Sequence, residues 1–476
     1  MYDVIIIGAG ITGTLIAKDL AGYNLNVALV EKENDIADGA TMANSAIVHT
    51  GYDPKDGTLK AKCNVEGARM YKQLCKDLGC LYKVTGAYIA AVGEEEEKIQ
   101  DVLKQRAIDR EVPYELLTGD QARAEEPNLS DDVTRVLSFP TTAVIYPWEV
   151  ACACAEVAYK NGVEVRLSTE VTNIEKLDGY YKVSTNNGDL EGRVVINAAG
   201  VAADKIARMV EEDPGFVMTP RKGEYFVIDN NIDYVNHVIF PVPSASKGKG
   251  VLAVPTVYGN TLLGPNSAFV DDPDDVGSSY QGLDYVRENV GKILKNAPLR
   301  HVIRNFAGLR PSSSSKDFII EESKTAKGFV NVASIESPGL ASAPSISKMV
   351  VTEILPNIID MEVNENADLT RTRPIVMEEL SDEERAAVIK ENPAYGRMIC
   401  RCEQISEGEI VECINRPCGA RSVKAVKKRV RPGMGKCQGG FCEPLVVGIL
   451  ARELGVHPTE VVLDSKQSNI LEKENR

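Results

Sequence analysis

The hydrophobic pattern of the chain opens with an apolar run of strand length. YDVIII, from Tyr2 to Ile7, stops at the turn GAGITG, Gly8 to Gly13, and resumes as the helically spaced TGTLIAKDLAGY. A second apolar run, Val27 to Val30, ends in Glu31. Strand, glycine turn, helix, strand and acid in this order predict a βαβ unit that holds a dinucleotide. In such a unit Gly8 permits the tight turn, Gly10 lets the backbone approach a pyrophosphate, and Gly13 lets helix and strand close on each other. The unpaired N–H groups that open the helix face the phosphates. Glu31 is placed to accept a hydrogen bond from an adenosine ribose hydroxyl, and a carboxylate there argues against NADP.

Further along, residues 39–51 are dense in small side chains, which suits backbone passing close to a flat, bulky ligand and equally an ordinary surface loop. The spacing predicts helices over 64–79, from Glu94 onward with Ile99, Val102, Leu103 and Ala107 on one face, and over 148–159 after Pro147. The acids of 94–97 sit at the positive end of a helix dipole and need no functional explanation. Cys152 and Cys154, two apart on a helix, point to different faces, which suits packing better than ligation. Residues 162–166 begin a strand, and the strand 193–197 runs into Ala198–Gly200, returning the chain to the first sheet with Gly200 near the nucleotide. Residues 217–264 alternate as antiparallel strands, with Gly259 and Asn260 in a hairpin turn, and predict a separate substrate-facing layer. FAGLRPSSSS and SIESPGLASAPSISKMV lead back to the nucleotide domain, Gly339 preceding a helix whose N-terminus faces an electron-rich ring.

Composition narrows the class. With 43% hydrophobic and 26% charged residues the chain reads as globular, and its net charge of −15 argues against nucleic acid or anionic membrane as partner. No apolar run approaches the roughly 18 residues of a membrane span. Met1 leads directly into the first strand, leaving no signal peptide, so the expected location is the cytoplasm. Eleven cysteines without a secretion signal point to thiols or metal ligands rather than disulfides.

The sharpest local signal lies beyond a polar linker, residues 361–398, that carries one short helix starting near Ser381 and Glu384. Cys400 and Cys402 in CRC and Cys437 and Cys442 in KCQGGFC form two close pairs separated by two predicted helices. Four such thiolates can converge on one metal centre. Structural zinc sites favour two to four residues between paired cysteines, and the single residue in CRC tilts the reading toward an iron–sulfur cluster. Between Cys413 and Cys442 there is no acid but eight bases: Arg416, Arg421, Lys424, Lys427, Lys428, Arg429, Arg431 and Lys436. Such cations would stabilise a negatively charged cluster, and the same surface would dock an acidic acceptor. Gly433, Gly435, Gly439 and Gly440 leave N–H groups for the sulfurs. Cys413 and Cys418 are rival ligands, although Cys413 shares a helical face with Ile410 and Ile414, as a core residue would.

Taken together, GAGITG, NSAIVHTG, KGEYFVID, LLGPNS, AGLRPS and ESPGLASAP resemble the glycine-oxidase and D-amino-acid-oxidase type of flavoprotein. Within that type the likeness is nearest to glycerol-3-phosphate dehydrogenases and L-2-hydroxyglutarate oxidases. CRCE and VKKRVRPGMGKCQGGFC resemble the bacterioferritin-associated-ferredoxin-like [2Fe–2S] domain, and the two in this order resemble anaerobic-type glycerol-3-phosphate dehydrogenase catalytic subunits.

The resemblance implies an α/β chain: an FAD-binding Rossmann-like domain with an antiparallel-sheet substrate domain, then a small helical [2Fe–2S] domain. Its boundaries would be 1–360 for the oxidoreductase, with the substrate sheet within about 64–150 and 215–305, 361–398 for the linker, 399–456 for the cluster domain and 457–476 for a tail. FAD contacts would fall on Gly8, Gly10, Gly13, Glu31, Lys32, Thr41, Asn44, Ser45, Val171, Gly200, Gly339 and Leu340. The active-site base would be His49, and Arg310 the anion-holding arginine, with Lys249, Ser337, Lys222 and Tyr225 lining the substrate site. Cys400, Cys402, Cys437 and Cys442 would hold the [2Fe–2S] cluster. Two departures stand out: Ala46 where many relatives carry glycine, and the loop SKGKG at 246–250.

The implied reaction is oxidation of sn-glycerol 3-phosphate to dihydroxyacetone phosphate, with electrons leaving through the cluster to a redox partner subunit, a flavoprotein or a membrane-anchored iron–sulfur subunit at the inner face of the membrane. Alternatives are dehydrogenation of L-2-hydroxyglutarate or of a secondary amino acid such as proline or hydroxyproline, or an iron–sulfur carrier or redox-sensing subunit.

Overall fold

The strand Tyr2–Ile7 lies at the centre of an eight-stranded sheet, and its alternation feeds two cores: Val4 and Ile6 face one, Ile5 and Ile7 the other. Val27–Val30 and Leu190–Asn197 flank it in parallel, Ile7 pairing with both Val30 and Asn197. The carboxyl ends of three strands therefore share one edge, where Gly8, Glu31 and Ala198 follow, the usual place for a ligand in such sheets. The structure, a computed structural model, describes residues 1–243 and 250–473. Phe329–Ala333 extends the sheet in parallel beside Leu190–Asn197, and Glu164–Arg166 beside Val27–Val30. Helices Ile11–Leu20, Leu59–Leu78, Pro147–Lys160 and Gly339–Lys348 contribute to the core on the Val4 and Ile6 side.

A second sheet, of nine strands, stands beside the first. Its strands Arg221–Ile228 and Val302–Arg310 pair antiparallel, with Arg221 opposite Arg310 and Tyr225 opposite Phe306. The sheet is not antiparallel throughout, because Val238–Pro241 pairs in parallel with Ala87–Ala91. The hairpin at Gly259 and Asn260 forms as expected, with Thr256 N–H bonded to Asn260 O and Gly259 at φ 84°. The helix expected from 64 starts at Leu59: Thr58 accepts from Ala61 N–H, and Asp317, remote in sequence, accepts from Leu59 and Lys60 N–H. Among the described residues no helix is long and apolar enough to cross a membrane.

Residues 361–398 form a strap against the flanking structure. Asn24 N–H bonds Glu362 O, Asn364 N–H bonds Gly22 O, and Arg371 grips Glu156 through two nitrogens at 2.7 and 3.2 Å. The short helix Asp382–Glu391 is capped by a reciprocal Ser381–Glu384 pair. Beyond it, helices Glu407–Asn415, Val423–Val430 and Glu443–Leu454 enclose their own small core around Ile410, Val426 and Leu450. The last residues pack back on this module, Val423 and Lys424 N–H bonding Val462 and Leu463 O.

The module is fastened to the first sheet by buried charge. Arg429 forks onto Asp35 at 2.7 and 2.9 Å, Lys428 reaches Asp35, Asp38 and Ile36 O at 2.6–2.7 Å, and Trp148 Nε1–H bonds Lys428 O. Arg416 adds a second grip on Glu156. Burial alone would raise the Asp35 pKa, but Arg429 and then Lys428 hold its carboxyl well below the usual carboxylate range.

Removing one member of a buried ion pair leaves its partner charged and unmatched, at a cost of about 3–5 kcal/mol. Asp35→Asn should lower the denaturant midpoint correspondingly and make the chain near residue 399 the first site of limited proteolysis. Because the Asp35 pKa is depressed on folding, its stabilisation is complete above the unfolded carboxyl value near 3.9 and is lost as pH falls through the folded one. The variant should lack that acid-dependent component.

Candidate active site

A cleft of about 2180 Å³ opens at the shared strand edge and runs between the two sheets. Its floor is GAGITG. Gly8 has φ 103°, and a side chain there would meet Ala198 O at 2.5 Å; one at Gly13 would meet Gly8 O at 1.9 Å. Gly10 caps the helix Ile11–Leu20 without any side-chain bond, so the first-turn N–H groups remain largely available to a ligand; Ile11 N–H bonds Thr41 Oγ. Glu31 accepts from Ala9 and Glu33 N–H at 2.7 and 3.0 Å. Its pKa is raised by burial, against those two N–H bonds. Lys32 lines the same cleft and pairs with Glu33 and Asp274.

The loop over 39–51 is the second wall. Asn44 folds it by donating to Ala40 and Thr41 O while accepting from Ala46 N–H, and Ser45 Oγ lies 3.0 Å from Tyr225 Oη. Ala46 has φ 60°, the left-handed region in which glycine is at ease, which is the physical content of the departure at this position. His49 is buried at the cleft wall, its ring 5.5 Å from Phe240 and its carbonyl held by Asn64. Val171, Gly200, Gly339 and Leu340 line the cleft, Leu340 O being fixed by Tyr71. Gly308 brings the second sheet against this loop, since a side chain there would strike Ala43 O at 2.0 Å.

Arg310 is the cation of the far wall. It bonds weakly to the carbonyl oxygens of Lys222 and Asn266, at 3.5 and 3.4 Å, and enters no ion pair among the described residues. Burial, reinforced by Arg221, lowers its pKa. Gly223 leaves it room, a side chain there meeting the guanidinium at 2.6 Å. Lys222 lines the cleft, but its ammonium is already matched by Asp275 at 2.7 Å, so it brings no free charge. Ser337 is exposed at the rim. Glu336 beside it is held ionised by Lys60, Arg221 and Ser312 against the effect of burial. Lys249 and most of SKGKG lie outside the described residues.

The four module cysteines stand as two pairs. Cys402 and Cys437 sulfurs are 3.7 Å apart, the separation of two thiolates about 2.3 Å from a shared tetrahedral metal. Cys400 is hydrogen-bonded by Cys442, which brings its pKa down to about 6 against burial, with help from Gly433, Glu403 and Cys402 N–H groups. Cys437 receives N–H bonds from Gly439 and Phe441. Two sulfur pairs, rather than one gathered set of three or four ligands, are what a two-metal cluster takes, one pair to each metal. Cys413 and Cys418 bond Ile410 O and Ala155 O instead, burial pushing both up to about 12.

Sequence reasoning misses how the two sites meet. Lys427, Lys428, Arg431, Met434 and Gln438 line the same cleft as GAGITG. Arg431 is buried between them: it donates twice to Glu403, next to Cys402, bonds Tyr146 Oη at 3.0 Å, and stacks 3.7 Å from the Tyr258 ring centre. The expected basic docking surface is correspondingly reduced. Arg416, Lys424, Lys428, Arg429 and Arg431 are in internal ion pairs, Arg421 bonds backbone carbonyls, and Lys436 stays exposed.

Comparison with known proteins agrees with this geometry. The model of the FAD dependent oxidoreductase family DAO matches residues 3–353, and that of the BFD-like [2Fe-2S] binding domain matches 398–452. A glycerol 3-phosphate dehydrogenase of Caloramator mitchellensis is 46% identical, covering 99% of this chain and 98% of the relative. A glycerol 3-phosphate oxidase of Mycoplasma pneumoniae is 33% identical over 73% of this chain and 93% of its own. The structure of dithionite-reduced L-alpha-glycerophosphate oxidase from Mycoplasma pneumoniae, with FAD bound, superimposes with a TM-score of 0.75 at 30% identity, covering 79% of this chain and 99% of that one. The chain thus belongs to the FAD dependent oxidoreductase family and carries a BFD-like [2Fe-2S] binding domain toward its carboxyl end.

Proposed function

We propose that the protein oxidises sn-glycerol 3-phosphate to dihydroxyacetone phosphate. The observation that carries this reading is Arg310: a guanidinium in the cleft with no carboxylate partner among the described residues, on the same cavity as His49 and the glycine turn. A guanidinium largely shielded from water, with weak carbonyl contacts and only the more distant charge of Glu336 to offset it, gains from an anionic substrate group held in its planar fork. The similarity to a glycerol 3-phosphate dehydrogenase over nearly the whole chain supports phosphate as that group.

Bound FAD supplies a two-electron acceptor for the hydride of the alcohol carbon, and the cluster a one-electron outlet. The chain's own residues do the rest. Arg310 fixes the anionic end, setting the distance from phosphate to reacting carbon. His49 takes the hydroxyl proton as the carbonyl forms, a role suited to imidazole at neutral pH. The cleft wall of Tyr225 and Phe306 restricts water around the reacting carbon, Tyr225 being held by Ser45 and stacked on Phe306 with ring centres 4.7 Å apart. Glu31 and the open helix terminus at Gly10 anchor the adenosine ribose and pyrophosphate. Electrons pass on to a redox partner whose identity belongs to the cell.

His49→Asn should keep the yellow protein but lower kcat/KM for glycerol 3-phosphate by roughly 10²–10⁴, measured as the rate of anaerobic flavin bleaching. Bleaching at an undiminished rate removes the base from the mechanism. Arg310→Met should lower kcat/KM by roughly a hundredfold or more while glycerol, lacking the phosphate, is affected far less. Equal losses for both compounds would separate Arg310 from phosphate recognition.

A further inference from the structure

The cluster ligands are not equally covered. Cys400 and Cys442 are buried, Cys437 is partly exposed and Cys402 is exposed, so one pair of sulfurs faces solvent. Around that open pair the surface has a distinct chemistry. Phe441, whose N–H bonds Cys437, is 85% exposed, an unusual state for a large aromatic side chain. Pro444, Leu445 and Gly448 follow it three, four and seven positions on, also exposed, and continue an apolar strip along one face of the helix Glu443–Leu454. Arg401 and Lys436, each next to one of the open cysteines, are exposed and enter no ion pair among the described residues. Of the nearby acids, Glu403 is buried and bound by Arg431, while Glu443, at the start of that helix, is partly exposed and enters no ion pair among the described residues.

We propose that this face is where a one-electron carrier protein with an acidic rim docks. The inference rests on the cluster reading given above and names the partner of that outlet. Charge complementarity selects the partner: the patch presents two exposed cations against the one partly exposed carboxylate of Glu443, around an apolar centre, in a chain of net charge −15. Beyond a Debye length of about 8 Å an acidic carrier meets little of the chain's overall repulsion, and at contact it meets Arg401 and Lys436. A small patch of this kind suits the brief, low-area encounters typical of electron transfer. The balance is simple. One alcohol oxidised to a carbonyl yields two electrons and two protons; two carrier molecules each take one electron across the Cys402 and Cys437 edge, and the protons go to solvent.

The test uses the full-length holoenzyme, reduced with stoichiometric dithionite so that the result does not depend on the substrate assignment. Mixed in stopped flow with oxidised cytochrome b5, an acidic one-electron carrier, the wild type should transfer electrons at a rate that falls with salt. Arg401→Glu with Lys436→Glu should slow transfer roughly tenfold or more and abolish the salt dependence. Leu445→Glu, further from the ligands, should slow it while the visible spectrum of the cluster stays intact. With a neutral benzoquinone as acceptor all variants should match the wild type. Unchanged rates and salt dependence with cytochrome b5, equal losses with the quinone, or self-association of the wild type through this face would overturn the proposal. Failure of the substrate to reduce the same preparation would instead count against the functional reading alone.

Discussion

Asp35 and Glu156 are buried carboxylates, and the position of the whole carboxyl-terminal module depends on them. Asp35 is held by Lys428 and Arg429, Glu156 by Arg371 and Arg416. Apolar packing alone would leave the module free to slide over the first sheet, since hydrophobic contact is non-directional. Forked guanidinium–carboxylate pairs are not: they fix distance and orientation together, and misdocking would strand charges in a dry interface. Asp35 lies in the loop that follows Glu31, so the clamp that seats the cysteine module also bears on the loop flanking the nucleotide end of the cleft.

From that seating follows the composite character of the site. The glycine turn and the 39–51 loop form one wall, the paired strands Arg221–Ile228 and Val302–Arg310 another, and the helix Val423–Val430 with Arg431 a third. Arg431 touches Glu403 beside Cys402 on one side and the rings of Tyr146 and Tyr258 on the other. No gap of solvent separates the cleft wall from the cysteine loop at this point. Two centres that exchange electrons need a fixed separation, and a buried, ion-paired, ring-stacked arginine supplies one.

Much of the architecture could be read from the chain because it is written locally. YDVIII, GAGITG and Glu31 specify their own βαβ unit, and the Ser381–Glu384 pair specifies its own helix start. The two cysteine pairs stand out by spacing as candidate metal ligands. What the sequence hides is long-range. The start of the Leu59–Leu78 helix depends on Asp317 across the fold. The parallel pairing of Val238–Pro241 with Ala87–Ala91 has no local signature, because period-two alternation does not state which edge a strand will meet. The run of bases between Cys413 and Cys442 looks like a solvent-facing surface because its acidic partners, Asp35, Asp38 and Glu156, lie hundreds of residues away. Lys222 lines the cleft as its place in KGEY suggests, but its partner Asp275, fifty-three residues on, is not legible from that motif.

The joining of the chain's two ends has a consequence for biosynthesis. Gly8 and Gly10 leave the ribosome long before Lys428, Arg431 and Leu463–Ser465, which line the same cleft. The first sheet is likewise complete only when Phe329–Ala333 pairs with Leu190–Asn197. A coenzyme captured before the module folds would therefore sit in a half-built chamber. Completion of the flavin chamber is in this way tied to folding of the sulfur-bearing module.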